Sequence, residues 1–284
     1  MSQLVALYRS PAYSPSQHLE NDRAILDAVV HHMQLAGWQV VRTTEREVAA
    51  GELPAGDLYL NMCQGPDAAQ RLLTLLPEGA PCINTPEAVL ACHRHRLVPR
   101  LQARGVPFPT TILLPTTGPE AHAPPVHRVT DNGHPVWLKR GDVHAQGPED
   151  VVRVLPAALP HELRRFAERG IKRVALQTHI PGPVVKFYGV IGGQFFHWYP
   201  ADRGLGPEVV AQAEPLHQLA ERAAQALGLT VYGGDAVLTA PDAPVLVDLN
   251  DWPSFAPVRA AAAAAIASHA RRYSRKARYS CSTP

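Results

Sequence analysis

The residues best suited to chemistry lie on two short strands around a turn. Gly234-Asp235-Ala236-Val237-Leu238-Thr239 runs through Ala240-Pro241-Asp242-Ala243-Pro244 and returns as Val245-Leu246-Val247-Asp248-Leu249-Asn250. Depending on where the turn centres, antiparallel pairing sets Asp235 opposite Asp248 or opposite Asn250. Either way Asp235, Asp248 and Asn250 share a face, because side chains alternate with period two along a strand. Three oxygen donors on a sheet otherwise built of Val and Leu are costly to hold together unless a cation neutralises them. Hard oxygen donors with few carboxylates suit Mg²⁺ bridging to phosphates rather than a soft metal. The competing reading is a hairpin face whose carboxylates are solvated.

A second group lies upstream. Val136-Trp137-Leu138-Lys139 reads as an apolar strand ending in a lysine, and the flexible Arg140-Gly141-Asp142-Val143-His144-Ala145-Gln146-Gly147 after it could fold over a triphosphate. Neither G-x-x-x-x-G-K-[ST] nor G-x-G-x-x-G occurs, so the two commonest nucleotide cradles are absent. Tyr8-Arg9-Ser10 and Asn61-Met62 follow predicted strands at their carboxyl ends, where open parallel sheets bind ligands. Anchoring of loops is the competing role for both. Trp252, Ser254 and Phe255 follow the acidic strand and could wall an acceptor site.

These groups are carried by alternating β and α patterns up to about Pro81, followed by a mixed region of strands, hairpins and helices. Thr85-Pro86 opens a helix predicted to run through His93-Arg94-His95-Arg96 to about Arg104, where Gly105 ends it. On such a helix His93 and His95 would diverge by about 200°, which argues against a helical zinc pair. The alanine-rich run Arg259 to Ala270 is a helix packed by small side chains. A length of 284 residues with 46% hydrophobic residues bounds the chain to one large or two to three small domains. No run of about 18 apolar residues spans a bilayer, and MSQLVALYRSPAYS lacks a secretion signal, so a cytoplasmic protein is expected. Cys63, Cys82, Cys92 and Cys281 are scattered, which fits reduced thiols rather than disulfides or a zinc ribbon. The net charge of +2 has an address: Arg271, Arg272, Arg275, Lys276 and Arg278 lie in the tail, and leaving them out sets 22 basic residues against 25 acidic ones. A mildly acidic body is no platform for nucleic acid.

In their order, these parts resemble the ATP-grasp superfamily, the fold of glutathione synthetase, D-alanine:D-alanine ligase and related carboxylate-amine ligases, over nearly the whole chain. The matching stretches are Asn84-Thr85-Pro86-Glu87-Ala88, Gly105-Val106-Pro107-Phe108-Pro109-Thr110, the strand ending at Lys139, and Leu176-Gln177-Thr178-His179-Ile180. They continue with Val185-Lys186-Phe187-Tyr188-Gly189-Val190, Gly234-Asp235, and Val247 through Phe255. The resemblance implies an α/β and α+β chain, an ATP-grasp fold with a small parallel α/β lobe over residues 1–82. A linker helix and first grasp subdomain would span 83–180, a second subdomain with the metal hairpin 181–270, and a basic tail 271–284.

It also implies ATP and Mg²⁺ as cofactors. Lys139 would hold the α and β phosphates, His144 would lie over them, and Gln177, His179 and Ile180 would form the adenine hinge. Lys186 would face phosphate or substrate, and Asp235, Asp248 and Asn250 would bind the metal. The family's first phosphate lysine is missing: counting back from Gly105 puts Arg94 in its place, and counting forward from Asn84 puts His95 there. Arginine can still bind phosphate bidentately. Lys186 and Arg94 are therefore the residues expected to serve catalysis. Asp248 stands where the family usually has Glu, and Thr178 where many relatives carry Glu.

The implied activity is an ATP- and Mg²⁺-dependent ligase joining a small-molecule or peptide carboxylate to an amine through an acylphosphate. Arg9, Asn61 and Ser254 are its candidate substrate residues. Such chemistry asks for positioning and charge stabilisation more than for a covalent nucleophile. A small-molecule kinase of the inositol-polyphosphate type and a non-catalytic nucleotide-binding protein are the alternatives. No membrane or nucleic-acid partner is expected, and a homodimer is compatible. The acidic patch is expected to face Arg94, Lys139 and Lys186 across a cleft, with the two signs apart.

Overall fold

The computed structural model describes residues 2–14, 18–118, 126–130, 133–201, 213–240 and 243–280. Cys281, the end of the tail and the Pro241-Asp242 centre of the hairpin turn lie outside them.

The apolar core of β1 (Gln3–Tyr8) is buried on both faces, which places it inside a parallel sheet. The order is β2-β1-β3-β4, with β2 (Gln39–Thr44), β3 (Leu58–Asn61) and β4 (Cys82–Ile83). On one side α1 (Leu19–Leu35) contributes Ile25, Leu26, Val29, Val30 and Met33. On the other, the short α2 (Glu45–Ala49) and α3 (Pro66–Leu75) supply Val48, Ala68 and Leu72.

Past α4 (Pro86–Cys92) and α5 (Arg94–Ala103), two antiparallel sheets follow. The first is β5-β8-β6-β7, from β5 (Thr111–Pro115), β6 (Val136–Arg140), β7 (Val151–Val154) and β8 (Arg173–Thr178). Its core takes Val129 from α6 (His127–Thr130) and Leu163 and Phe166 from α7 (Leu159–Glu168). The second is β10-β9-β11-β12, from β9 (Val184–Val190), β10 (Phe195–Pro200), β11 (Val231–Leu238) and β12 (Pro244–Asp251). Alternation along β9 sends Val185 and Phe187 into the core with α8 (Ala213–Leu227), whereas Tyr188 and Val190 join the core shared with the N-terminal lobe.

Two expectations change. The helix predicted from Thr85 to Arg104 is broken at His93, whose extended backbone (φ −63°, ψ 128°) ends α4 and precedes α5. Its imidazole Nε2 lies 3.0 Å from the Gln64 carbonyl, a contact with another lobe that local sequence does not encode. His93 and His95 therefore do not diverge as on a continuous helix, and their rings stand 6.1 Å apart. The tail, expected to separate at residue 271, continues α9 (Arg259–Ser280), with Ala270 and Ser274 buried. Ala262, Ala263, Ile266 and Ala267 of α9 sit in the same core as α1, where small side chains let the two helices approach.

Asn84 pins the N-terminal lobe to the last sheet. Its carboxamide accepts from Thr230 N (2.7 Å) and Val231 N (2.9 Å) and donates to the Val231 carbonyl (2.7 Å). Asn84→Ala would strand two buried backbone groups of Val231 and the half-buried Thr230 N–H, so unfolding by denaturant should show a loss of about 3 kcal/mol.

Candidate active site

The hairpin forms with Asp235 opposite Asp248 and Gly233 opposite Asn250, which selects one of the two registers open from sequence. A bulge after Asp235 shifts the pairing, so that Ala236 faces Leu246. Gly234 allows this fit, since a Cβ there would run into the Asp248 carbonyl and the Phe187 ring.

The two signs are not held apart across the cleft, as sequence suggested, but are paired. Arg94 Nη2 donates to Asp248 Oδ2 at 2.7 Å, and its Nη1 donates to the Arg140 carbonyl at 3.0 Å. Lys186 Nζ meets Asp235 Oδ1 at 2.8 Å. Each of the two opposed carboxylates thus has a cation of the chain as its partner. Burial alone would raise the Asp248 carboxyl, but Arg94, then Lys139, outweigh it and hold it below the usual carboxylate range. For Lys186, burial acts to lower the ammonium and Asp235 more than restores it. Lys139 Nζ donates to the Val247 carbonyl at 3.0 Å, and burial pulls its pKa down to about 8 against the pull of Asp248.

Arg94, Lys186, Asp235, Asp248 and Asn250 line one cavity of about 390 Å³ between the lobes. Arg9 and Ser254 line it too, beside the Tyr188 and Tyr199 hydroxyls, which bond at 2.9 Å. Arg9 is committed there to Asp22 (2.9 Å) and to the Trp252 carbonyl (3.1 Å). Between Arg94 and His95, the cleft holds Arg94. His95 turns its backbone N–H and its Nδ1 to the Gly141 carbonyl, at the base of the loop after β6.

Other predicted residues are placed elsewhere. Asn61 is fully buried, bonding the Asn84 carbonyl and Cys63 N, so it fixes the loop after β3 and does not reach the cleft. Gln177 turns inward to Thr111 Oγ1 (3.1 Å), while His179 Nδ1 accepts from Trp137 Nε1 (3.3 Å). Gln177 lies near the end of β8, and His179 and Ile180 follow it on the way to the last sheet; none of the three lines the 390 Å³ cavity. His144 does line it, but its Nε2 is bound to Asp251 at 3.1 Å rather than left free for phosphate.

Sequence reasoning missed Asp251. Alternation puts it on the face opposite Asn250, yet it lies at the end of β12, where Trp252 takes a left-handed φ of 38°. There it receives Gln64 Nε2 at 3.2 Å as well as His144. Glu45 was also missed. Its buried carboxylate accepts from Ser10 N at 2.6 Å, Gln64 N at 2.8 Å and Gly65 N, joining the loops that form the N-terminal rim.

A small parallel lobe joined to two antiparallel sheets that enclose a charged cleft is the ATP-grasp fold. The chain can be laid over the D-alanine–D-alanine ligase of Bacillus anthracis with a TM-score of 0.68 at 12% identity, covering 99% of each chain. The same enzyme complexed with ATP gives 0.69 at 13%. A RimK domain ATP-grasp protein of Sphaerobacter thermophilus gives 0.66 at 20%, over 94% of this chain and 99% of that one. Neither a family model nor a curated protein matches the chain in sequence. Among the described residues no helix is long and apolar enough to cross a membrane.

The four lysines (139, 172, 186 and 276) make the buried one easy to follow. After reductive ¹³C-methylation, the Lys139 resonance should titrate near pH 8, and that of Lys186 above the ordinary lysine range. Because its folded pKa lies below the unfolded value, the folded state lacks a proton that the unfolded state binds. Stability should therefore rise with pH between about 8 and the ordinary lysine range, and Lys139→Met should flatten that rise.

Proposed function

We propose that this protein is an ATP-dependent ligase that activates a carboxylate by phosphoryl transfer and passes it to an amine. The observation carrying this reading is the convergence of Arg94 and Lys186 on the opposed carboxylates Asp235 and Asp248 in the inter-lobe cavity.

The donor set fits Mg²⁺. The cavity is lined by Asp22, Asp235, Asp248 and Asp251 against the full cations Arg9, Arg94 and Lys186, and the hairpin donors are all oxygens. Asp235, Asp248 and Asn250 would hold the ion, which when bound neutralises phosphate charge and orients the transferring group. The protein's own groups do the rest. Arg94, paired with Asp248, offers a planar fork suited to phosphate oxygens. Lys139, whose pKa burial lowers to about 8, would have its charged form favoured by an anionic phosphate beside it. Lys186 stands on the next strand with Asp235, close to the developing charge. Tyr188 and Tyr199 lie beside Lys186 on the same sheet face, and with Arg9 and Ser254 they line the part of the cavity where the carboxylate and amine substrates, small molecules or peptides, would lie.

Incubation with Mg-ATP and pooled carboxylates and amines should release ADP and free phosphate only when both substrates are present. ADP with a stable phosphorylated product would instead identify a kinase, and no turnover would leave a nucleotide-binding protein. Asp248→Asn and Lys139→Met should each lower the rate by roughly 100- to 1,000-fold with the fold intact. Activity surviving Asp248→Ala would sink the metal assignment.

A further inference from the structure

We propose that Cys92, His144 and Asp251 form a second metal site, for a borderline divalent ion of the zinc class, separate from the oxygen patch on the hairpin. Cys92 ends α4, His144 sits in the loop between β6 and β7, and Asp251 ends β12. A thiol sulfur, an imidazole nitrogen and a carboxylate oxygen from these three elements lie within 4.8 Å of one another. Zinc bonds of about 2.0 to 2.3 Å set tetrahedral ligand atoms roughly 3.3 to 3.8 Å apart, so a loop shift on the order of 1 Å completes the arrangement.

A second observation points the same way. Asp251 is fully buried, and although its Oδ1 receives Gln64 and His144, its Oδ2 has no hydrogen-bond partner. A buried carboxylate oxygen left unpaired is costly, and a cation beside it removes that cost. Sulfur and nitrogen donors favour zinc-class ions over Mg²⁺, which separates this site chemically from the all-oxygen group at Asp235 and Asp248.

A supporting contact is in place. Gln64 Nε2 donates to the Asp251 carboxylate and orients it. Burial keeps the Cys92 thiol protonated. On uptake the sulfur–metal bond therefore forms as the thiol proton leaves to solvent, and His144 binds through Nε2 as its Nδ1–H tautomer. Because His144 and Asp251 also line the cleft, the ion would tie the loop after Lys139 to the end of β12.

Cobalt(II), titrated into the full chain, is the probe. A thiolate-to-cobalt charge-transfer band should appear and saturate at equimolar metal. It should vanish in Cys92→Ala, which retains Cys63, Cys82 and Cys281, and persist in Asp235→Asn. His144→Ala should weaken cobalt binding by ~10-fold or more. A wild-type chain without the band, or a band that survives Cys92→Ala, overturns the site. Should Cys92→Ala fail to fold, unchanged cobalt affinity in His144→Ala overturns it instead. The outcome is independent of the ligase reading: turnover without the band refutes only this site, and the band without turnover refutes only the ligase.

Discussion

A carboxylate placed between Val247 and Leu249, on a strand whose Leu246 and Leu249 are buried in the core, has to be answered by positive charge, and the architecture around the cleft follows from that need. Asp248 draws Arg94 from the joint between α4 and α5, and the second arm of that guanidinium holds the Arg140 carbonyl of the neighbouring sheet. Lys139 reaches the same strand through the Val247 carbonyl. One negative charge thus ties together three parts of the chain that are distant in sequence. Pairs of this kind contribute little net stability, but deleting one partner leaves the other charged and out of water, at a cost of about 3 to 5 kcal/mol. Such a balance suits a site that exchanges its internal partners for a ligand's charges.

The cleft joins a fixed side and an adjustable one. The fixed side is the seam between the N-terminal lobe and the last sheet, where Asn84 grips β11, Trp252 Nε1 donates to the Ile83 carbonyl at 3.3 Å, and Arg9 holds the Trp252 carbonyl. The adjustable side is the loop after β6. Its contacts are polar: within the loop Arg140 with Asp142 at 2.7 Å and with Gln146 at 2.6 Å, and across to β12 His144 with Asp251. Polar contacts that water can replace open more easily than a buried seam.

Much of this was legible in the sequence because it is local or periodic. Alternation placed the hairpin donors on one face, and Thr85-Pro86 marked a helix start that the structure retains. What was illegible depends on partners far along the chain. The register could not be chosen because the bulge after Asp235 belongs to the fit against β12, and the break at His93 is set by a carbonyl from the loop after β3. Asn61 showed the limit of reasoning from position alone: it sits at a strand's carboxyl end, yet both ends of its carboxamide are spent inside the protein. Asp251 was hidden by the same alternation that revealed Asn250, since the rule stops where the strand ends.

The packing of α9 against α1 has a consequence for how the chain is made. Residues 19–35 leave the ribosome well before residues 259–280, yet Ile25, Leu26, Val29 and Met33 share their core with Ala262, Ala263, Ile266 and Ala270. Until those residues arrive, β1 and β3 cover one side of α1, but the side that meets α9 is open. The N-terminal lobe is therefore completed late, and that side of its helix is a surface a chaperone would need to shield during synthesis.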